Sequence, residues 1–415
     1  MDKLWIQCGH MTKTLWIVSG GIEAVPGIQL AKKMGLNVVV SDGNPNAPGF
    51  KFADTSIVVS TYDIEGTLKA AKKYDREIKT IDGVICMASD VPLTVAKITE
   101  ELGLPGIKTR TAEICSDKLL MKEYLHDAGM PVPWFSAVDS VSQLRSLVLE
   151  RGLPLVLKPV DSRGARGVIR LTPEIDLNWA FNYAKKLSLS SRVMVEEFLS
   201  GPQYSTESIF IKGGSFTPGF CERNYEYLER FKPFVIENGG QQPAQIDDND
   251  KKSITDVVER ASKSLGISTG TTKGDMILTD KGPKIIEIAP RLSGGWFSSD
   301  QIPLATGINL VELAIRVCLG DDIKKEELKL HYTKGVTIRY FFPKYGKIIG
   351  IKNLELFKNI PWIHKFKLFV IVGDIVEKVT DHTKRCGFVI TTGETRDEAV
   401  KHANEVVNKV EIQTI

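Results

Sequence analysis

The sequence predicts an α/β domain with a small doubly wound parallel sheet, then an α+β domain, then a small strand-rich domain at the C-terminal end. Three observations predict this order. Residues 13–110 alternate apolar strand segments with helical patterns, which is typical of a parallel sheet. Residues 155–288 contain apolar segments joined by short polar turns, which is typical of antiparallel pairing. Residues 331–415 contain strand patterns and one helical pattern near the end.

The α/β domain begins with an apolar strand at 14–18 that runs into Ser19-Gly20-Gly21. A helical pattern with apolar residues on one face follows, and Gly35 ends it. The same alternation then repeats along the domain. We expect strands at 37–40, 56–59 and 83–87, and helices at 25–34, 65–73 and 93–102.

The middle domain begins with a helix at 118–128, which Ser116 or Asp117 caps and Gly129 ends. A strand at 155–159 and its return at 168–171 form a hairpin around a polar loop. Further elements are expected as strands at 192–198, 204–211, 276–278 and 284–288 and a helix at 309–319. The last domain is expected to contain strands at 334–342, 366–372 and 387–391 and a helix at 396–409.

Composition places few limits on the partners of the chain. With 42% hydrophobic and 25% charged residues and a net charge of +3, the profile is that of a globular protein without the basic excess of nucleic-acid binders. No apolar segment approaches the about 20 residues of a membrane span. The six cysteines are scattered without metal-binding spacing, so we expect buried free thiols and a cytoplasmic location.

The turn Gly20-Gly21, with Asp42 at the end of the next strand, partly matches a dinucleotide fingerprint. The full glycine spacing is absent, and Glu23 would bring negative charge close to a bound phosphate. A tight turn between strand and helix is therefore favoured here. A nicotinamide dehydrogenase stays as the weakest alternative.

Two lysines and a glycine-bearing loop indicate a phosphate site. Lys118 opens a capped helix, and Lys158 ends a strand just before the loop 161–167. Within that loop, Gly164 and Gly167 allow backbone amides to approach an anion, and two arginines add charge. Each feature alone also fits an ordinary surface lysine or hairpin loop.

Two carboxylates on adjacent strands indicate a metal site. Pairing around the turn at 280–282 would place Asp275 opposite Glu287, with no obvious lysine between them. Magnesium held by carboxylates and shared with substrate phosphates would relieve their repulsion. Arg291 lies near the end of the second strand, where it could contact a phosphoryl group, and Gly294-Gly295 offers anion-accepting backbone.

In this order, the segments resemble the ATP-grasp superfamily, close to carboxylate–amine (L-amino acid) ligases and biotin-carboxylase-like proteins. The resemblance covers nearly the whole chain from residue 14. The segments that carry it are SDKLLMKEYLHDAGMPVP, LPLVLKPVDSRGARGV, VMVEEFLSGPQYSTE, KGDMILTDKGPKIIEIAPRLSGG and RCGFVITTGETRDEAVKHA.

The resemblance implies a domain order and a set of roles. It divides the chain into an N-terminal extension at 1–12, a Rossmann-like domain at 13–115, an ATP-grasp domain at 116–328 with a lid subdomain at about 128–198, and a C-terminal α+β domain at 329–415. The resemblance implies that Lys118 and Lys158 contact the nucleotide phosphates and that the loop with Gly164 and Gly167 is a lid. It implies that Glu196 accepts from the adenine amino group, that the backbone of Glu197, Phe198 and Leu199 forms the hinge, and that Glu207 contacts the ribose or a phosphate. It also implies that Asp275 and Glu287 bind the metal and that Arg291 stabilises the phosphoryl group or the acyl phosphate.

One residue departs from the pattern of many relatives, which have Asn where this chain has Ala289. The metal shell loses a side-chain oxygen there, so the number of metals stays open. The implied cofactors are ATP and Mg2+ or Mn2+. The implied partners are a small carboxylate and an amine, with no nucleic acid or membrane, and the expected assembly is a homodimer.

The implied reaction is formation of an acyl phosphate and ADP, followed by attack of an amine, which makes the chain an ADP-forming ligase. Two alternatives stay open: a bicarbonate-activating, biotin-carboxylase-like enzyme, and an ATP-binding protein without turnover. The sequence does not name the substrates. The candidate pocket lining mixes aromatic and cationic residues, namely Trp296, Tyr225, Tyr227, Arg223 and Arg230.

Overall fold

The computed structural model describes residues 12–415, and the predicted N-terminal extension lies almost entirely outside this range. The first unit is a parallel sheet of four strands in the order β3-β2-β1-β4, as predicted. Its strands are β1 (Thr14–Val18), β2 (Asn37–Asp42), β3 (Thr55–Val58) and β4 (Gly83–Cys86), and its helices are α1 (Val25–Lys33), α2 (Ile64–Glu77) and α3 (Pro92–Glu101).

Burial explains why this unit forms the predicted sheet. Every residue of β1 is buried, because helices cover both faces of the central strand. At the edge, β3 alternates half-buried and exposed residues instead. Because β1 and β4 are parallel, their carboxyl ends lie at the same edge of the sheet. In folds of this kind, the loops at that edge bind ligands.

Two helices lead into the next unit. They are α4 (Thr109–Ser116), which the sequence analysis did not predict, and α5 (Lys118–Asp127), which it did. Asp117 is the cap of α5, since its carboxylate accepts from the N–H groups of Leu119 and Leu120, both at 3.0 Å. The cap fixes the position of Lys118 at the first turn.

A four-stranded antiparallel sheet in the order β5-β8-β6-β7 forms the next layer, which we call the lid sheet. Its elements are β5 (Phe135–Val138), α6 (Val141–Arg151), β6 (Leu155–Pro159), β7 (Ile169–Leu171), α7 (Leu177–Lys186) and β8 (Val193–Glu197). The predicted hairpin of β6 and β7 is confirmed, with Leu155 opposite Leu171. Helix α6 was not predicted because Leu144 is its only buried residue, which leaves little apolar periodicity.

The largest sheet has eight strands in the order β13-β12-β9-β10-β11-β14-β18-β16, and a three-stranded sheet, β17-β15-β19, lies beside it. The strands are β9 (Gln203–Ile211), β10 (Gly214–Arg223), β11 (Gly240–Gln242), β12 (Gly270–Thr279), β13 (Gly282–Ala289), β14 (Gly335–Tyr340), β15 (Gly346–Lys352), β16 (Ile363–Leu368), β17 (Ile375–Val376), β18 (Gly387–Gly393) and β19 (Glu411–Thr414). The helices are α8 (Asp248–Ser264), α9 (Ile302–Thr306), α10 (Leu310–Cys318) and α11 (Arg396–Lys409).

The large sheet crosses the domain boundary expected at 328/329, since β14, β18 and β16 continue it beyond β11. The C-terminal strands are thereby joined to the middle domain through backbone hydrogen bonds. The strand predicted at 366–372 is wrong in its bounds. Its partner β18 begins at Gly387, opposite Leu368, so residues 369–372 have no neighbouring strand to pair with.

Two further findings concern the described residues. None of their helices has the length and apolar character required to cross a bilayer. The five cysteines among them are buried and free, as predicted, whereas Cys8 lies outside the described range.

Candidate active site

A cavity of about 780 Å³ lies where the three parts of the fold meet. Its lining comes from the loop after β4, from the start of α5, from β6 and the loop that follows it, and from the end of β8. The paired strands β12 and β13 and the turn at 382–385 complete it. Most of the residues that the sequence singled out converge here, although they are spread along the chain from Lys118 to Trp296.

Lys158 and Glu196 form an ion pair in the cavity. They lie on the neighbouring strands β6 and β8, and the Lys158 Nζ is 2.5 Å from a Glu196 carboxylate oxygen. Both side chains are buried, and the other carboxylate oxygen lies 3.0 Å from the Lys122 ammonium. Although burial opposes it, Lys122 and Lys158 hold the pKa of Glu196 below its usual range. Glu196 is therefore a carboxylate whose charge is balanced by two lysines.

The segment after β8 lines the same side of the cavity with Glu197, Phe198 and Leu199. Glu197 is exposed, and the Phe198 ring lies 4.6 Å from the Arg170 guanidinium. A short segment beside a carboxylate can accept a flat heteroaromatic ring with an amino group.

Lys118 reaches the cavity from the first turn of α5. Its ammonium donates to the Ser162 carbonyl at 2.9 Å and pairs with the Glu287 carboxylate at 3.0 Å. Lys118 thus links the loop after β6 with strand β13. Burial opposes the change, but Glu287 and Asp90 raise the pKa of Lys118, so the ammonium stays charged.

The two predicted metal ligands lie opposite each other, since Asp275 of β12 pairs in register with Glu287 of β13. The expectation that no lysine lies near them is wrong. Asp275 accepts from the Ser205 hydroxyl at 2.7 Å, lies 3.2 Å from the Arg223 guanidinium and contacts the Lys273 ammonium. Burial opposes it, yet these cations hold the pKa of Asp275 well below its usual range. Both acids are therefore ionised.

The donor set fits a magnesium ion that also binds phosphate. Within residues 12–415, no cluster of three or more His, Cys, Asp or Glu side chains suits a metal. Mg2+ commonly uses one or two carboxylates and completes its shell with water and substrate phosphates. Asp275 and Glu287 can supply those two carboxylates, and Ala289 on β13 supplies no further side-chain oxygen.

Arg291 is held by a residue that the sequence analysis did not select. Its Nε donates to Asp90 at 3.2 Å, and the other oxygen of that carboxylate accepts from Arg163 Nε at 2.9 Å. Burial opposes it, but the two arginines hold the pKa of Asp90 well below its usual range. Asp90 therefore joins Arg291 to Arg163 of the loop after β6.

The loop at 161–167, which we call the glycine loop, contacts both the N-terminal unit and the C-terminal part of the chain. Arg163 stacks over the Tyr62 ring at 4.6 Å, and the Gly164 carbonyl accepts from the His382 N–H at 3.0 Å. Gly164 lines the cavity, as predicted. Gly167 does not: it is buried at φ +75°, and a Cβ there would lie 2.6 Å from Pro159. The absence of a side chain at Gly167 therefore allows close packing against Pro159 and does not open the backbone to the cavity.

Three further expectations change with the structure. Glu207 is fully buried outside the cavity, where its carboxylate accepts from the Ser293 N–H at 2.9 Å and the Ser298 hydroxyl at 2.6 Å, so it cannot contact a nucleotide there. Tyr227 packs against Phe342, and Arg230 donates to the Phe342 carbonyl, so neither lines the cavity. The other three candidates for the pocket do line it, namely Trp296, Tyr225 and Arg223.

The glycine turn at the start of the chain has a local explanation. The Asp42 carboxylate accepts from the Gly20 N–H at 2.8 Å, and a Cβ on Gly20 would lie 3.0 Å from Val40. Asp42 is therefore occupied within the turn rather than free for a ribose. This geometry favours the tight turn over a dinucleotide site.

Several residues of the cavity, and Lys122 just outside it, were not found from the sequence. Asp90 follows β4, and its place at the carboxyl end of a parallel strand was an available signal. Lys122 lies four residues after Lys118 on the same helix, a spacing that puts both on one face. For Glu237, Arg385 and His382, which also line the cavity, the sequence offered no local motif.

Comparison with protein families gives two matches. Residues 115–295 match the ATP-grasp domain, and residues 339–414 match the L-amino acid ligase C-terminal domain 2. The chain is an ATP-grasp ligase. The first match spans the lid sheet, the glycine loop and the β12–β13 hairpin, which are the elements that build the cavity. The second spans β15 to β19 and thus covers the small C-terminal sheet.

Three individual similarities accompany these matches, and the first is to a protein described as uncharacterised. The ligase is 26% identical to protein y4rH of Sinorhizobium fredii over 90% of its own length and 77% of that protein. It is 26% identical to alanine–anticapsin ligase of Bacillus subtilis over 62% of its own length and 57% of that ligase. The structure of L-amino acid ligase from Bacillus licheniformis shares its fold, with a TM-score of 0.81 and 22% identity over 97% of this chain and 99% of that one.

Proposed function

We propose that the ligase activates a small carboxylate, such as an amino acid, as an acyl phosphate and then joins it to an amine. The observation that carries the proposal is the convergence of Lys118, Lys158, Asp275, Glu287 and Arg291 on one cavity. Phosphoryl transfer to a carboxylate requires charge neutralisation and positioning more than covalent chemistry. A similarity to alanine–anticapsin ligase and to an L-amino acid ligase C-terminal domain supports the substrate class.

In this proposal, the lysines position the triphosphate. Lys158 at the end of β6 and Lys118 at the start of α5 contact phosphate oxygens as point charges. Glu196 accepts from the adenine amino group, and the backbone of Glu197, Phe198 and Leu199 completes the adenine site. The short contact between Lys158 and Glu196 fits this arrangement, since it holds both groups on the same side of the cavity.

Asp275 and Glu287 would hold a magnesium ion, which would offset the charge of the substrate phosphates when bound. Arg291 then stabilises the transferring phosphoryl group and the acyl phosphate through its forked donors. Asp90 raises the pKa of Arg291 above its usual value despite burial, so that guanidinium stays charged at any working pH. The glycine loop excludes water, because an acyl phosphate that meets water is lost to hydrolysis.

The proposal is tested by measuring ADP release with Mg2+, ATP and pairs of amino acids. We expect release that depends on both a carboxylate and an amine, with one amide formed per ADP. Release that bicarbonate alone stimulates would point to a carboxylase instead. ATP binding without release across a broad panel of acids and amines would contradict turnover altogether.

Two variants test the site itself. Lys158→Ala and Glu287→Ala should each lower turnover at least about a hundredfold, since the first removes a positive charge that offsets the developing phosphate charge and the second removes a carboxylate assigned to the magnesium ion. Lys186→Ala and Asp280→Asn are matched controls, because both positions are exposed on the same two structural units. If either site variant kept near-normal turnover while its control did the same, the assigned roles would be wrong.

A further inference from the structure

Two carboxylates that line the cavity, Glu23 and the exposed Glu197, form no ion pair within the described residues. Ion pairs hold the cavity carboxylates Asp90, Glu196, Glu237, Asp275 and Glu287, each with a lysine or arginine within 4.0 Å. Glu23 also lines the cavity, yet no Lys, Arg or His among residues 12–415 lies within that distance of it. Glu23 is thus a half-buried carboxylate of this cavity that forms no ion pair.

The position of Glu23 is nevertheless well defined. It follows the Gly20-Gly21 turn at the carboxyl end of β1, and its Oε2 accepts from the Gly295 N–H at 2.7 Å. Gly295 is four residues after Arg291 in the chain, and the positive charge of Arg291 reaches the Glu23 carboxylate, where it opposes a rise in pKa. Burial raises the pKa of Glu23 above its usual value, even though the bond from Gly295 opposes the rise.

An amine cannot attack while it is protonated, so the proposed reaction needs a group that removes that proton. Asp90, Asp275 and Glu287 are weaker bases than an ordinary carboxylate, because neighbouring cations lower the pKa of each. Glu197 is exposed beside the segment assigned to adenine. Arg385, Arg291 and Lys365 also act on Glu23, but none forms an ion pair with it, and its pKa is raised despite them, which makes it a better proton acceptor.

We propose that Glu23 is the general base that accepts a proton from the ammonium form of the incoming amine. The inference rests on the proposed ligase reaction. A free carboxylate oxygen of Glu23 takes one N–H proton, which leaves a neutral amine with a lone pair. The lone pair attacks the carbonyl carbon of the acyl phosphate and forms the C–N bond. The C–O bond to phosphate then breaks, its electron pair leaves with phosphate, and the second N–H proton goes to that leaving group.

Glu23→Gln separates this step from the formation of the acyl phosphate. The amide oxygen still accepts from Gly295, so the loop keeps its hydrogen bond, whereas the side chain can no longer take a proton. Two nucleophiles are compared for each enzyme: the amino acid that serves as the amine substrate, and hydroxylamine. Hydroxylamine is largely unprotonated at neutral pH and traps the acyl phosphate as a hydroxamate without needing a base.

We expect Glu23→Gln to lower amide formation about a hundredfold or more, while hydroxamate formation stays within about threefold of the unchanged protein. Raising the pH should partly restore amide formation, because more of the amine is then free. The control is Glu65→Gln, an exposed position of the same N-terminal unit, which should change neither rate.

Three results would overturn the inference. Amide formation close to that of the unchanged protein would show that Glu23 takes no proton. Equal losses in both assays would place Glu23 in the shared first step or in folding, and thermal unfolding of the variant distinguishes these two. If the unchanged protein forms neither product with any acid, the ligase reaction itself fails, and the inference falls with it.

Discussion

The ammonium of Lys122 lies 3.0 Å from the carboxylate of Glu196, and neither residue is open to solvent beyond 3% of its surface. Lys122 also donates to the Ile285 carbonyl at 3.2 Å, which ties α5 to β13. The oxygen of Glu196 that faces Lys122 is not the one that faces Lys158. Lys122, which does not line the cavity, therefore fixes the Glu196 carboxylate on the side that faces away from Lys158.

Lys122→Met should weaken both folding and nucleotide binding. Removing one partner of a buried ion pair typically costs about 3–5 kcal/mol of unfolding free energy, because the remaining charge loses part of its compensation. Glu196 would then be shared with Lys158 alone, and we expect ATP affinity to fall about tenfold. Urea denaturation and calorimetric titration with ATP measure the two effects.

Two further variants serve as controls for that experiment. Lys122→Arg keeps the charge and should retain more than half of the unfolding free energy that Lys122→Met loses. Glu123→Gln changes an exposed neighbour on α5 and should leave both quantities unaltered. An ATP affinity that Lys122→Met does not change would show that the pair supports folding without positioning Glu196.

The same lysine predicts a pH dependence of stability. Burial outweighs the attraction of Glu196 and lowers the pKa of Lys122 to about 8, whereas an unfolded lysine titrates near about 10.4. Between these values the unfolded chain binds more protons than the folded one, so the free energy of unfolding rises with pH. Relative to Lys122→Met, the unchanged protein should gain up to about 3 kcal/mol from pH 8 to pH 10.4. Urea denaturation at several pH values measures the gap, and a constant gap would contradict the shifted pKa.

The part of the site that the sequence predicted is the part that local patterns determine. The turn at 280–282 sets the register of β12 and β13 as far as Met276, opposite Ile285, and a register shift between Met276 and Asp275 then brings Asp275 opposite Glu287. A helix cap and a strand end likewise fixed the surroundings of Lys118 and Lys158. These residues needed no knowledge of how the domains pack.

The remaining contacts depend on packing between distant segments. Asp90 meets Arg291, which is 201 positions away, and Glu23 meets Gly295, which is 272 positions away. No periodicity or spacing within either segment encodes such a pair. The expectation that no lysine lies between Asp275 and Glu287 failed partly for the same reason, since Lys118 comes from α5, whereas Lys273 lies on β12 two residues before Asp275 and was a local signal.

The link between Arg163 and Asp90 predicts a coupling effect. Arg163→Ala removes the contact of the glycine loop with the N-terminal unit, so water should reach the acyl phosphate more often. We expect the ratio of ADP released to amide formed to rise from near one to several, with a smaller loss in the rate of ADP release. Parallel assays of ADP and amide measure the ratio. Arg145→Ala, at an exposed position of α6, is the control, and an unchanged ratio in Arg163→Ala would refute the role of this contact.

Gly167 tests whether the glycine loop depends on close packing or only on backbone conformation. Gly167→Ala introduces a Cβ 2.6 Å from Pro159 at φ +75°, whereas Gly129→Ala introduces one at φ +69° with no heavy atom within 4 Å. Both variants carry the strain of a left-handed alanine, about 1 kcal/mol. Only Gly167→Ala also displaces the end of β6, where Lys158 is fixed. We therefore expect similar small losses in unfolding free energy from strain, a further loss of about 1–3 kcal/mol for Gly167→Ala alone, and reduced ATP affinity in that variant only. Urea denaturation and ATP titration of the two proteins give the comparison, and equal behaviour would mean that the loop shifts to accept the extra methyl group.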